Sequence, residues 1–312
     1  FSVAVFHVQE INPYGYLAVD LFFMLSGFVL VHAYGQPDLV SRRLIVTRAI
    51  RLYPMFAAGI LVGLVIRDGN PATLLMLPDW TSDRLYPMNT ALWSVAYEMV
   101  ASVAFAALYR HGWKAWAVVF LVSAAAWLPA IFSEPNVSIG MHWHTLPAGL
   151  IRMTFAFTLG IALYWLYRRI ERRWRSNAAW GLVLIPVGLG FLPEAGWVLP
   201  FVLLLAFPVT ILVGALVEPK GTRLATLSGD LSYPLYAIHQ PILVAFGWVA
   251  LPTVVLAAWL LDRYFDRPVR KTLSRLVRPH SRTEPVWGTL RYPSHSADRE
   301  PGVLRDDIDR RV

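Results

Sequence analysis

The sequence predicts an all-α protein, a polytopic transmembrane helical bundle of about ten spans with the first one truncated. Hydrophobic residues make up 56% of the 312 residues and charged residues only 15%, with a mean hydropathy of +0.49. Soluble domains are about 45–50% apolar and about 25% charged. Apolar segments also recur along the chain with arginine between them, and at about 20 residues per span the length accommodates about ten spans. Together these features exclude a disordered protein, a coiled coil and an ordinary soluble enzyme.

The apolar segments can be assigned in chain order. Residues 1–8 are too short to cross a membrane, and the sequence begins with Phe1 rather than Met. We therefore expect them to be the end of a helix whose start is missing, not a signal peptide, because no basic region and no cleavage site accompany them. Seven further spans are predicted at residues 16–34, 53–66, 92–109, 113–132, 150–167, 178–192 and 197–217.

The last apolar stretch, residues 231–261, is harder to divide. Its 31 residues would measure ~46 Å as one straight helix, which is less than two full crossings of a ~30 Å hydrocarbon core. Either two short spans borrow flanking residues or the segment is re-entrant. Pro234, Pro241 and Pro252 make broken helices plausible. We favour two short spans, which place both ends of the stretch on the same side.

Basic residues predict the orientation of the chain. They form five clusters that alternate with arginine-poor loops: Arg42, Arg43, Arg48 and Arg51; Arg110 and Lys114; five arginines within 168–175; Lys220 and Arg223; and five basic residues within 263–275. By the positive-inside rule these clusters are cytoplasmic loops, so both termini are expected in the cytoplasm. The net charge of +8 is thus explained by topology and not by a nucleic-acid partner.

Composition also predicts where the transmembrane domain ends. Residues 278–312 contain seven arginines and six acidic residues with almost no apolar run, which favours a disordered cytoplasmic tail. Residues 1–277 then form the transmembrane domain. The chain has no cysteine, which excludes disulfides, thiolate metal sites and a cysteine nucleophile.

Ionisable residues inside spans are costly and are functional candidates by default. Four are identified: His7, Asp20, Glu98 and His239. With the predicted orientation, the first three lie at one depth near the outer leaflet. Histidine is suited to general-base chemistry near neutral pH, and a nearby carboxylate could orient it. The alternative for each residue is a structural hydrogen bond between helices.

Other polar groups have weaker signals. Ser26 beside Gly27 favours close helix packing over a nucleophile. His142 and His144 flank Trp143, but two histidines alone do not make a metal site, so no metal is predicted. The positive charge of Arg48 and Arg51 is explained if they anchor a cytoplasmic loop. The exclusive use of arginine there also suggests bidentate binding of a phosphate-bearing cofactor.

At these residues the sequence resembles the acyltransferase 3 family of integral-membrane, acyl-CoA-dependent O-acyltransferases. Five motifs match in the same order over about residues 1–275. They are Val-Phe-His7; Val-Asp20-Leu-Phe22-Phe23-Met-Leu-Ser26-Gly27-Phe28; Arg48-Ala-Ile-Arg51-Leu-Tyr53-Pro54; Trp93-Ser94 with Glu98; and Leu231-Ser-Tyr233-Pro-Leu-Tyr236-Ala-Ile-His239-Gln-Pro241. Each motif alone is weak, but five in order are specific.

The resemblance implies transfer of an acyl group, often acetyl, from cytoplasmic acyl-CoA to a hydroxyl of a carbohydrate or glycosylated acceptor. The protein would reside in a bacterial inner membrane among its lipids and use acyl-CoA as a co-substrate, with no permanently bound cofactor. His7, Asp20 and Glu98 are then the catalytic candidates, and Arg48, Arg51 and Tyr53 the cofactor-binding ones. Ser26, Trp93, Ser94, Tyr233, Tyr236 and His239 are expected to support the substrate or the structure.

One geometric problem accompanies these roles. Asp20 and Arg42 are 22 residues apart, up to ~33 Å along a helix, so the phosphate clamp and the base are expected on opposite sides of the membrane. Either the pantetheine arm reaches through a channel between helices, or the acyl group is relayed. Intramembrane charges and broken helices would also suit a transporter or flippase of an acyl donor or glycan, which is the alternative function. A structural protein without chemistry would leave the five motifs unexplained.

Overall fold

The computed structural model describes residues 14–34, 41–134, 137–170, 174–188, 191–193, 195–218 and 223–277, which are mostly helical. The predicted first span, residues 1–8, and the predicted tail, residues 278–312, lie outside these residues. The described helices are α1 (Ala18–Tyr34), α2 (Ser41–Ile66), α3 (Trp93–Leu108), α4 (Gly112–Ser133), α5 (Leu146–Tyr167), α6 (Leu184–Gly188), α7 (Val198–Leu216), α8 (Arg223–Phe246) and α9 (Trp248–Val277). Two short parallel strands, β1 (Trp174–Arg175) and β2 (Val217–Glu218), pair with Trp174 opposite Val217.

Six helical segments of the described chain are long and apolar enough to cross a membrane. Five of them contain α1, α2, α5, α7 and α9 respectively, and the sixth, Thr90–Ser133, contains both α3 and α4. These two helices meet at Gly112, whose φ is 74°, a backbone conformation that glycine adopts at little cost. The described residues are therefore mostly helical and contain six candidate membrane spans, whereas the count of about ten spans remains a prediction.

Helix α2 differs most from its prediction. It begins at Ser41 and runs for 26 residues through Pro54, whereas the sequence analysis began the span at residue 53. The assignment of this segment to a basic loop is wrong, because Arg42, Arg43, Arg48 and Arg51 all lie on this helix. Arginine is a good helix former, and its long side chain can extend from a span towards a polar region.

Two segments in the second half of the chain also differ from expectation. Residues predicted as a span at 178–192 form a 3-10 segment, Asn177–Val183, followed by the short helix α6. The stretch 231–261 belongs to two helices, α8 and α9, that take flanking residues and meet at Gly247, whose φ is 66°. Both helices are long, and of the two only α9 is among the segments of the described chain that are long and apolar enough to cross a membrane. Two short spans in this stretch therefore remain a prediction. Pro234 and Pro241 lie inside α8 without ending it.

Close helix contacts depend on small residues. Gly27 of α1 lies against the carbonyl of Phe157, and Gly160 of α5 lies against the carbonyl of Met24, so a Cβ on either glycine would overlap backbone. Small residues let helices approach in this way within membranes. The packing expected at Gly27 is confirmed, and it brings α1 and α5 together along most of their length.

Candidate active site

Asp20 lies in an ion pair between α1 and α5. Arg152 of α5 donates from Nε to Asp20 Oδ1 at 2.8 Å and from Nη2 to Oδ2 at 2.6 Å. Each side chain is 1% exposed. The other three N–H groups donate to the carbonyls of Val137 and Ile139, from Nη1, and of Tyr16, from Nη2. Because a guanidinium has five N–H donors, Arg152 is fully satisfied, and it ties Asp20 to the segment before α5.

Sequence analysis missed Arg152, although it lies in the predicted span 150–167. The signal was present: it is a lone arginine in an otherwise apolar run, and such a residue is a functional candidate by default. Its guanidinium also lies 5.5 Å from the ring centre of Tyr16 and 5.9 Å from that of Trp93. The predicted residues Asp20 and Trp93 are therefore connected through a residue that was not predicted.

A second buried network joins α1, α2 and α3. Arg48 Nη2 forms an ion pair with Glu98 Oε1 and donates to Ser26 Oγ at 3.2 Å. Ser26 Oγ donates to Glu98 Oε1 at 3.0 Å, and Arg48 Nε donates to Ser102 Oγ at 3.1 Å. Glu98 Oε2 is buried and has no hydrogen-bond partner among the described residues. Residues from three of the five motifs thus meet in one charged cluster, and Ser102 was not predicted.

The two networks lie at different depths. Asp20 belongs to the first and Ser26 to the second, and the six-residue step from one to the other spans ~9 Å of helix α1. Glu98 contacts Ser26, so the two carboxylates belong to separate networks. The Arg48 guanidinium also reaches Ser26, which brings it closer to Asp20 along α1 than the ~33 Å expected for Arg42.

Arg51 and Tyr53 take more exposed positions on α2. Tyr53 is 39% exposed. Arg51 is also exposed and lies near enough to Arg270 and Asp266 of α9 to interact with them electrostatically. Leu52 lies between Arg51 and Tyr53 in the sequence, and its carbonyl accepts from the Tyr233 hydroxyl of α8 at 2.5 Å. The three cofactor candidates of the sequence analysis therefore separate into a buried Arg48 and two accessible residues.

The remaining predicted residues meet between α3 and α8. Ser94 Oγ and Tyr236 Oη lie 2.6 Å apart, and Tyr236 also donates to the Ala91 carbonyl at 2.7 Å. His239 Nδ1 lies 2.7 Å from the Tyr236 carbonyl, an acceptor, so Nδ1 carries the proton and Nε2 is the basic atom of the neutral ring. Buried His239 is thus held in one tautomer beside two hydroxyl groups.

Buried amides hold α8 against the segment before α3. Asn89 Nδ2 donates to the carbonyls of Gly59 and Ala237 at 3.1 and 2.7 Å, and Gln240 Oε1 accepts from Thr90 N–H at 3.2 Å. Sequence analysis did not identify Asn89 or Gln240. Asn89 is followed by Thr90 and Gln240 follows His239, so neither amide is a lone polar residue as Arg152 is.

Titratable groups in the loop between α2 and α3 have shifted pKa values. Burial would raise the pKa of Asp79, but hydrogen bonds from the Thr81 hydroxyl and backbone N–H and from Asn70 outweigh it and lower the pKa. A hydrogen bond from His142, opposed by weak desolvation and aided by His144, lowers the pKa of Asp83. Burial raises the pKa of Tyr86, whose hydroxyl donates to the Met76 carbonyl at 2.7 Å. These hydrogen bonds join parts of the loop to one another and, through His142, to the segment before α5.

Comparison with known proteins shows the family of the chain that carries these networks. A family model described as an acyltransferase domain, acyltransferase 3, matches residues 1–261. The chain belongs to the acyltransferase 3 family. This acyltransferase is 25% identical to "Acyltransferase MdmB" of Streptomyces mycarofaciens, over 76% of the chain and 70% of the relative. A 49-residue segment is 47% identical to "Protein 2 in picA locus" of Rhizobium radiobacter, over 14% of the chain and 26% of that protein. No solved structure matches.

The family and the relative's name establish an enzyme that transfers acyl groups other than aminoacyl groups. The apolar helices and the family fit an integral membrane protein. No match supports the transporter alternative. His7, the predicted base, lies outside the described residues, so its surroundings form no part of this geometry.

Proposed function

We propose that this acyltransferase moves an acyl group, in the first instance acetyl, from acyl-CoA to a hydroxyl of a carbohydrate or glycosylated acceptor. It would do so in a bacterial inner membrane with both termini in the cytoplasm. The observation that supports this most is the convergence of residues from four of the five motifs in three sets of buried polar contacts, centred on Asp20, on Arg48 with Glu98, and on Ser94 with Tyr236. Charged groups buried within membrane helices are retained where they serve substrates or ions.

The proposed chemistry assigns the base to His7. Its imidazole takes the proton of the acceptor hydroxyl as that oxygen attacks the thioester carbonyl carbon, and the C–S bond then breaks. The protonated histidine returns its proton to the leaving CoA sulfur, so the reaction balances without another reactant. General-base assistance of this kind contributes ~100- to 10,000-fold. Asp20 is proposed to orient His7, because two hydrogen bonds from Arg152 hold its carboxylate in one position.

Donor binding is proposed for Arg51, Tyr53 and Arg48. Arg51 and Tyr53 are accessible on α2 and suit the phosphates of CoA, since arginine binds phosphate bidentately. Arg48 lies deeper and holds Glu98. We assign it to the path of the pantetheine arm between the helices. The arm then passes from the Arg48 level to the Asp20 level, a distance of ~9 Å along α1.

Stabilisation of the oxyanion is proposed for the hydroxyl pair of Ser94 and Tyr236. The pair lies beside Trp93 and shares the Ala91 carbonyl as acceptor. Either hydroxyl can turn its proton towards a developing negative charge. Removing one donor of an oxyanion hole costs ~100- to 1,000-fold in turnover. Arg152 is not assigned this role because its five donors are already used.

The test uses membranes that contain the full chain, labelled acetyl-CoA and a cell-envelope glycan fraction as acceptor. His7→Ala should abolish transfer while retaining acetyl-CoA binding, and Arg51→Ala should weaken binding. His111→Ala is the matched control, because His111 is exposed in the turn between α3 and α4. Wild-type transfer by His7→Ala would refute the base assignment. If His239→Ala abolished transfer instead, the base would be His239, whose tautomer already suits that role.

A further inference from the structure

Three side chains that can bind a metal ion meet where two loops run side by side. Asp83 comes from the loop before α3, and His142 and His144 come from the loop before α5. His142 Nδ1 lies 2.6 Å from Asp83 Oδ2, and His144 Nδ1 lies 3.4 Å from Asp83 Oδ1. The two imidazole ring centres are 5.3 Å apart. Sequence analysis identified the two histidines but lacked a third ligand, and the fold supplies it.

The backbone around this cluster is held independently of its side chains. Arg84 and His142 form an antiparallel bridge, in which Leu85 N–H donates to the Met141 carbonyl at 2.9 Å and Trp143 N–H donates to the Asp83 carbonyl at 3.0 Å. The Trp143 indole N–H donates to the Asp79 carbonyl at 2.8 Å. The three ligands therefore start from fixed backbone positions, so little conformational freedom would be lost when they bind an ion.

The frame extends to the residue that follows the histidines. Thr145 Oγ1 donates to the His142 carbonyl at 3.1 Å and accepts from the backbone N–H of Gly140 and of His142 at 3.2 and 3.4 Å. This threonine fixes the turn on which both imidazoles are carried. The two histidines therefore lie on a short turn that three hydrogen bonds of Thr145 hold in place opposite the Asp83 carboxylate.

The donor set selects the kind of ion. The two imidazole nitrogens and one carboxylate oxygen all lie within 4.8 Å of one another. A tetrahedral Zn²⁺ ion with ligands at ~2.0–2.1 Å requires ligand atoms ~3.3 Å apart, and the two observed nitrogen–oxygen distances bracket that value. Imidazole suits Zn²⁺, Cu²⁺ and Ni²⁺, whereas Mg²⁺ and Ca²⁺ prefer oxygen. Asp83 and His144 are 67% and 68% exposed, which leaves room for a water as the fourth ligand.

We propose that Asp83, His142 and His144 bind one divalent transition-metal ion, Zn²⁺ in preference, and that the ion fastens the loop before α3 to the loop before α5. His142 lies three residues after Ile139, whose carbonyl accepts from Arg152. The ion therefore secures the segment that lies over the buried Asp20 network. The proposal is independent of the acyl donor and acceptor, because none of the three ligands belongs to either network.

The experiment uses the full chain, purified in detergent without a polyhistidine tag, stripped with a chelator and then titrated with Zn²⁺. Isothermal titration and elemental analysis should show one ion per chain. Asp83→Asn, His142→Ala and His144→Ala should each weaken binding by at least ~10-fold, since even partners of ligands contribute ~10- to 100-fold. His111→Ala, an exposed histidine elsewhere, should bind as wild type. Co²⁺ should give the visible absorption of a tetrahedral site in wild type and in His111→Ala but not in the three ligand variants.

Thermal unfolding separates loss of the site from loss of the fold. Without metal, Asp83→Asn should unfold at the wild-type temperature, because asparagine can keep the hydrogen bond to His142. Added Zn²⁺ should raise the unfolding temperature of wild type and of His111→Ala but not of the three ligand variants. Absence of a bound ion in wild type would overturn the proposal. So would wild-type affinity in all three ligand variants, which would place the ion elsewhere.

Discussion

Replacing Arg152 with alanine tests whether the ion pair with Asp20 stabilises the bundle. The change removes five hydrogen bonds, two to the Asp20 carboxylate and three to backbone carbonyls. Removing one partner of a buried ion pair costs about 3–5 kcal/mol, because the other charge stays buried and uncompensated. Each carbonyl left without a donor adds about 1 kcal/mol if water does not replace it. We therefore expect a loss of at least about 3 kcal/mol in the free energy of unfolding.

The assay is equilibrium unfolding of the purified chain in mixed detergent micelles. Arg168→Ala is the control, because Arg168 lies over the Trp165 ring near the end of α5 and contacts no carboxylate among the described residues. The double variant Asp20→Leu/Arg152→Leu should be less destabilised than the sum of its single variants, since neither charge is then left alone. A loss below about 1 kcal/mol for Arg152→Ala, or full additivity in the double variant, would refute the reasoning.

Three further changes test other parts of the structure. Gly160→Val should destabilise the bundle by about 1–3 kcal/mol by pushing α5 away from the α1 backbone, measured by the same unfolding assay. Arg48→Ala should abolish acetyl transfer and destabilise the fold, and adding Glu98→Gln should recover part of the stability but no transfer. Hydrogen bonds from Thr81 outweigh burial and lower the pKa of Asp79 in the folded protein below its ordinary value of 3.8. The ionised Asp79 carboxylate therefore stabilises the fold fully above pH 3.8, and this stabilisation is lost as the pH falls through the lower pKa of the folded state. Asp79→Asn should flatten that part of a pH–stability curve, and an unchanged curve would exclude the effect.

Hydropathy predicted most helices, and it placed the ends of α1, α3, α4 and α7 within a few residues of their observed bounds, because each is largely apolar along its length. It failed at α2, where a helix continues for a full twelve residues into an arginine-rich segment. Hydropathy measures the cost of entering lipid, not the tendency to be helical. A charged helix end and a charged loop therefore look alike to it.

The sequence identified most members of the site but could not identify their partners. Ordered motifs led to Asp20, Ser26, Arg48, Ser94, Glu98 and Tyr236, and the structure buries or half-buries all of them. The pairing of Arg48 with Glu98 joins residues 50 positions apart, on helices assigned to opposite depths. Arg152 and Asn89 belong to no recognised motif, and only the fold shows what they hold. Spatial partners of this kind depend on helix packing, which no local pattern encodes.

The depth of Arg48 changes the problem that the transfer reaction must solve. If every arginine of α2 lay in a cytoplasmic loop, the acyl group would have to travel the thickness of the membrane between donor binding and chemistry. The ion pair instead places one cationic group about 9 Å from the Asp20 level along α1, with Arg51 accessible one turn further along α2. Under the proposed function, a single acyl-CoA molecule would engage Arg51 with its phosphates while its uncharged arm follows the helices past Arg48 and Glu98. Because Arg48 and Glu98 form an ion pair, the proposal places no unpaired charge beside the thioester, and it then needs no relay intermediate.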